Sequence, residues 1–170
     1  MAASMMKKRR SLESGHRRKF LLVIDDSEEV NAALYYSASR VKHAGGSIVM
    51  LYVIEPQVFQ HWMGVREIRL EEETAKAKAL FRLYRRKLNQ AGYEDVATEE
   101  VIREGQEADE IVRIIEEDED ISVLVLGAAT GADGPGPLVA SLASGAAGSF
   151  RVPVTVVPGD LTLEEIQTLA

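Results

Sequence analysis

The chain has no cysteine, which excludes disulfides, thiolate metal sites and cysteine nucleophiles and fits a cytoplasmic protein. No apolar run approaches the ~20 residues that cross a bilayer, so no membrane association is expected. The first 19 residues lack the apolar core of a signal peptide, and export is not expected either. Neither His16 nor His43 has a metal-binding neighbour at a sensible spacing. No Ser/His/Asp set stands at turn positions, and no carboxylate pair occupies two distinct environments. The sequence therefore offers no catalytic residue, and slow turnover of a ligand by a bound metal is the most that is expected.

What is present describes an ordinary globular domain. The 170 residues are 46% hydrophobic and 28% charged, enough for one domain with a real core. The net charge of −7 is unevenly spread: residues 1–19 carry seven Lys or Arg and one Glu, leaving 13 basic against 26 acidic residues elsewhere. An acidic body disfavours nucleic acid, because duplex affinity rests on neutralising phosphates. Residues 1–18 read as a disordered basic arm, solvated rather than structured.

From residue 20 the pattern is strand then helix, repeated. Phe20 to Ile24 is a buried strand, ended by Asp25, Asp26 and Ser27, with Ser27 placed as an N-cap and Glu28 and Glu29 in a first turn. Apolar residues then recur at helical spacing from Val30 to Val41, and Gly45-Gly46 stops the helix. Ser47 to Val53 is a second strand, broken by Pro56. A charged helix runs from about Glu67 to Gln90, Val96 to Ile102 is a polar-alternating edge strand, and Glu107 to Ile115 is a short amphipathic helix.

The stretch from Asp120 to Gly159 organises the rest. It holds a buried strand ending in Leu126-Gly127, a glycine-rich loop to Gly136, a helix opened by Pro137 and a second buried run from Val152 to Val157. Alternating strands and helices of these lengths call for a parallel, doubly wound α/β sheet in three layers. Ligands of such sheets sit beyond the carboxyl ends of the strands, where the winding reverses. The turns after Ile24, Val53 and Leu126 all lie at that end. The amides of Leu138, Val139 and Ala140 at the helix start form a candidate anion site, to which Ser141 adds a hydroxyl. No lysine occupies the loop, so it is not a Walker-type P-loop.

Five pieces in order carry a resemblance: Val23 to Ser27, Met50 to Pro56, Glu104-Gly105, Val123 to Gly127 and Val152 to Pro158. The pattern over about residues 19–159 resembles the universal stress protein (UspA-like) family. The resemblance implies an adenine nucleotide alpha-hydrolase-like fold: a five-stranded parallel sheet of strand order 3-2-1-4-5. It also implies ATP or a related adenine nucleotide as a regulatory ligand, carried with Mg²⁺ or Mn²⁺. In members that bind ATP the signature after the fourth strand is Gly-x2-Gly-x9-Gly-Ser/Thr. Here it falls on Gly127, Thr130, Ala140 and Ser141, with Gly131 one place late for the second glycine and Leu142 following. Two of the three glycines are thus replaced, and the usual Asp-Gly-Ser after strand one is Asp25-Asp26-Ser27. By resemblance, Asp25 contacts the nucleoside, the Val53 backbone reads adenine, and Leu126 and Gly127 close strand four at the phosphates. Arg66 or Arg69 would be distant helpers.

The residues themselves leave alternatives open. Asp25 is either a ligand contact or a turn aspartate, and Ser141 either a hydroxyl contact or a small residue that seats the helix. His61 and Trp62 are either a lid on adenine or a hydrophobic plug. The loss of two signature glycines keeps a second function in view, a dimeric module that takes no nucleotide and acts through protein contacts. The β-branched run Val152 to Val157, if at an edge, needs a pairing partner, and the resemblance implies a homodimer through it. Residues 160–170 form an amphipathic tail that Thr162 can cap, with Leu163, Ile166 and Leu169 available to pack on either subunit.

Overall fold

A computed structural model describes residues 7–57, 63–143 and 150–170. The chain runs β1 (Lys19–Val23), α1 (Glu29–Ala44), β2 (Ser47–Ile54), α2 (Met63–Gln90), β3 (Thr98–Glu104), α3 (Glu107–Glu117), β4 (Ile121–Ala128), α4 (Pro137–Ala143), β5 (Val154–Pro158) and α5 (Leu163–Leu169). All strand pairs are parallel, in the order β3-β2-β1-β4-β5. The doubly wound five-stranded sheet expected from the sequence is the one observed.

Period-two alternation assigns the core. Phe20 and Leu22 of the first strand, and Ile24 just after it, point to the layer holding α1 and α2, while Leu21 and Val23 point to the layer holding α3. The central strands read as continuous apolar runs because both faces are covered. In α3, Ile111, Ile114 and Ile115 supply the buried stripe, and in α2 Ala77, Phe81, Tyr84 and Leu88 do so. Ile166 of α5 is fully buried against the same subunit, and Thr162 and Glu165 close a reciprocal capping box. Leu169 is 64% exposed. No described helix is long and apolar enough to cross a membrane.

Local expectations shift in three places. The third strand begins at Thr98 rather than Val96, because a Val96 N–H to Tyr93 O turn (3.1 Å) precedes it. The second helix already begins at Met63. Ser27 is not an N-cap: Glu28 holds that position, and the Ser27 amide and hydroxyl both donate to Asp25 Oδ1. Asp25 outcompetes the helix start because its carboxylate closes a local two-residue turn.

Residues 7–18, expected to be a solvated arm, lie against the end of α3. The Arg9 guanidinium donates to the carbonyls of Ile115 (2.5 Å), Asp118 (3.0 Å) and Ile121 (3.3 Å). His16 Nδ1 meets Asp120 at 2.7 Å, and Ser11 is buried. Carbonyls at a helix C-terminus lack intrahelical partners, and a guanidinium is suited to several at once.

Candidate functional site

The sheet turns outward in both directions from β1 and β4, so the switch point lies between their carboxyl ends. A cavity of about 70 Å³ opens there. Val23, Asp25 and Ser27 form one wall, Leu126 and Gly127 the floor, and Pro135 to Val139 the opposite wall, with Glu107 at the rim. The β1–α1 turn is held from two sides. The Asp25 carboxylate accepts from Ser27, and its main-chain oxygen accepts from the Tyr84 hydroxyl at 2.5 Å. Burial, then the charges of Asp25, Asp26 and Glu29, pushes the Tyr84 hydroxyl up, so it remains a donor.

Gly127 lines the cavity, but its missing side chain serves the protein. A Cβ there would stand 2.4 Å from the main-chain oxygen of Glu29. Gly159 meets the same residue, 2.5 Å from Glu29 Cβ. The start of α1 therefore sits down on the ends of β4 and β5, and glycine is what lets the backbones approach.

The loop above is closed on itself. The Ala129 amide bonds Pro135 O at 3.2 Å and the Gly134 amide bonds Gly131 O at 3.2 Å, while Gly134 and Gly136 take positive φ. This turn carries Thr130 and Gly131 on its exposed outer side, away from the cavity. Ala140 is also exposed, and its amide donates to Gly136 O at 2.9 Å, so it is not one of the free amides the sequence assigned to an anion. Leu138 and Val139, from the same expected trio, do line the cavity. Ser141 donates its hydroxyl to Leu138 O at 2.6 Å, and Leu142 packs on the α3 layer. Val53 is half-buried against that layer and lies outside the cavity lining. Of the residues named for the site, the fold thus brings Asp25, Leu126 and Gly127 together. His61 and Trp62 lie outside the described residues.

Arg66 and Arg69 are committed elsewhere. Arg66 pairs with Glu104 at 2.8 Å and Arg69 donates to Glu55 O at 2.7 Å. Among the described residues, no cation lines the cavity. Sequence reading missed Glu107, taken only as a helix start. Its amide donates to the Glu55 carboxylate at 3.1 Å, which caps α3. Burial, reinforced by the charges of Glu55 and Asp25, pushes the Glu107 carboxyl up to about 7. Near neutral pH it can therefore donate a hydrogen bond or carry a charge. Among the described residues, no three His, Cys, Asp or Glu stand together to hold a metal ion. A divalent cation would need the oxygens of a ligand as well, with Asp25 the carboxylate nearest the turn.

The strand order and a crevice at the β1/β4 switch point define an adenine nucleotide alpha-hydrolase-like domain. The model of the universal stress protein family matches residues 16–158, and the chain belongs to that family. Among solved structures it is similar to the universal stress protein UspA from Lactobacillus plantarum, with 18% identity, a TM-score of 0.66, and coverage of 82% of this chain and 97% of that one. A universal stress protein from Archaeoglobus fulgidus in complex with dAMP aligns with a TM-score of 0.58 at 16% identity, over 82% and 97% of the two chains. A universal stress protein in complex with cAMP aligns with a TM-score of 0.56 at 16% identity, over 82% and 96%. Among the curated proteins, none matches this chain.

Proposed function

We propose that this protein binds an adenine nucleotide as a regulatory ligand in a cytoplasmic stress response, in the crevice between β1 and β4. The observation that carries the reading is the convergence of Asp25, Leu126-Gly127 and the start of α4 on one cavity at the switch point. Two proteins of the same fold are complexes with dAMP and cAMP, which supports an adenine ligand of low charge as well as ATP. The residues fit a nucleoside better than a triphosphate. Among the described residues, three carboxylates, Asp25, Glu29 and Glu107, line the crevice and no cation does, so phosphates bind only with Mg²⁺ or Mn²⁺ to offset them. The cavity is also well below the ~300 Å³ of a ligand pocket, so binding requires the wall from Pro135 to Val139, the loop end and the start of α4, to move outward. In this reading the protein works as a homodimer through β5.

The second reading is a module that takes no nucleotide and acts through a protein partner. The size and carboxylate lining of the cavity favour it. Titration calorimetry with AMP, cAMP and Mg-ATP separates the two. Binding that weakens in Asp25→Ala supports a nucleotide at this site. Absence of heat with all three nucleotides at millimolar concentration removes the first reading.

A further inference from the structure

The outward face of α2 carries a pattern that nothing in the crevice uses. Ala77, Leu80, Phe81, Tyr84 and Leu88 turn the helix inward. Opposite them, at spacings of three and four, run Ile68, Glu72, Ala75, Ala79, Arg82 and Arg86, all exposed. Ile68 is 59% exposed. Charge along the helix is segregated: residues 67–73 hold four Glu and one Arg, whereas residues 76–87 hold six Lys or Arg and no acid.

Each half is unfavourable by itself. Lys78, Arg82 and Arg86 stack at successive i,i+4 positions, as do Glu67 and Glu71, and like charges so placed repel. Among the described residues none of these five has an ion-pair partner, although Lys76 of the same helix pairs with Asp26. An isolated surface helix gains nothing from that arrangement.

We propose that the back of α2 is a self-association surface, on which a second copy of this chain lays its own α2 antiparallel. Setting Ala75 of one copy against Ala79 of the other places the remaining pairs without further choice. Glu72 then faces Arg82, and Ile68 lies along the aliphatic stem of Arg86, each twice by symmetry. Glu71 faces Arg85 at the flank, where a shallow groove of about 390 Å³ lined by Leu70, Glu71, Thr74, Ala75 and Lys78 admits the arginine stem. The alanines at the centre let the two axes approach to the ~8 Å lower range of helix packing. A parallel arrangement would oppose cation to cation and glutamate to glutamate. This surface is on the opposite side of the subunit's α1–α2 layer from the sheet and does not involve β5, so it stands or falls apart from the nucleotide reading.

The cysteine-free chain makes the test direct. Ala75→Cys and Ala79→Cys proteins, each of wild-type circular dichroism, are oxidised separately and as a mixture, and disulfide dimers are counted on a non-reducing gel. The antiparallel pairing predicts about tenfold more cross-linked dimer in the mixture than in either protein alone. Adding Arg82→Glu to both should remove that excess, and adding Glu72→Arg as well should restore it. Equal cross-linking in the separate proteins would overturn the register, and none in the mixture would overturn the self-pairing. If none forms while heparin retains the wild type and not Arg82→Glu, the occupant is a polyanion instead of a second copy.

Discussion

The Tyr84 hydroxyl, on the second helix, donates at 2.5 Å to the main-chain oxygen of Asp25, at the tip of the first strand. One bond thus ties the longest helix to the turn that forms a wall of the crevice. Tyr84 is 2% exposed, and its phenylalanine variant leaves the Asp25 carbonyl without that donor. Tyr84→Phe should lose about 1–2 kcal/mol by urea denaturation with little change in circular dichroism. An unchanged midpoint would mean that the turn is held by Ser27 alone.

Two glycines of the same loop region should respond in opposite ways to the same substitution. At Gly127 a methyl group meets the Glu29 carbonyl at 2.4 Å, so Gly127→Ala must push α1 away from β4. A loss of about 1–3 kcal/mol is expected. At Gly131 no atom lies within 4 Å of the added carbon, and Gly131→Ala should be neutral or slightly stabilising. Thermal unfolding of the pair checks the contrast, and equal behaviour would contradict the packing role given to Gly127.

Glu107 makes stability depend on pH. Its folded value of about 7 lies above the ordinary 4.5, so the folded state holds the proton more tightly than the unfolded chain. Its contribution is complete below about 4.5 and is lost as pH rises through 7, when a half-buried carboxylate must ionise beside Glu55 and Asp25. Glu107→Gln should therefore be more stable than wild type at pH 8, by on the order of 2 kcal/mol, and equal to it near pH 4. The same variant should bind a nucleotide more tightly above pH 7, since one negative charge leaves the rim. Parallel denaturation curves for both proteins at the two pH values would refute the assignment.

The sheet was legible because its evidence is local. Leu21 to Ile24, Val49 to Tyr52 and Leu124 to Leu126 are unbroken apolar runs, and a strand covered on both faces has no other pattern. The Thr162–Glu165 box likewise sits within four residues of sequence. The crevice was legible only in outline. Glycine at 127 announces a close approach, but whether a phosphate or the Glu29 carbonyl makes it depends on where α1 lands. Glu107 looks like any first-turn acid until α3 closes over the end of β2 and Glu55 comes within 3.1 Å of its amide. Arg9 carries no periodic signal at all. Its docking follows from the open carbonyls at Ile115 and Asp118, more than a hundred residues away. Long-range placement decided each of these, and no window of sequence contains it.

The last strand supplies the remaining test. β5 lies at the edge of the sheet, pairing with β4 on one side only, and Val156 is 39% exposed. An apolar β-branched edge with open backbone groups invites a second strand, and soluble proteins commonly guard such edges with lysine. No charged residue stands between Val152 and Val157, so that guard is missing. If β5 pairs with its twin, as proposed, a lysine at its centre must bring two ammonium groups close together at the two-fold axis and desolvate both. In an Arg82→Glu background, which removes the α2 contact, Val156→Lys should then shift the protein from dimer to monomer in light scattering, with its circular dichroism retained because the side chain of a monomer is free to reach water. A wild type that is already monomeric at high micromolar concentration would remove the β5 dimer, and a variant that remains dimeric would move the interface to another face of the chain.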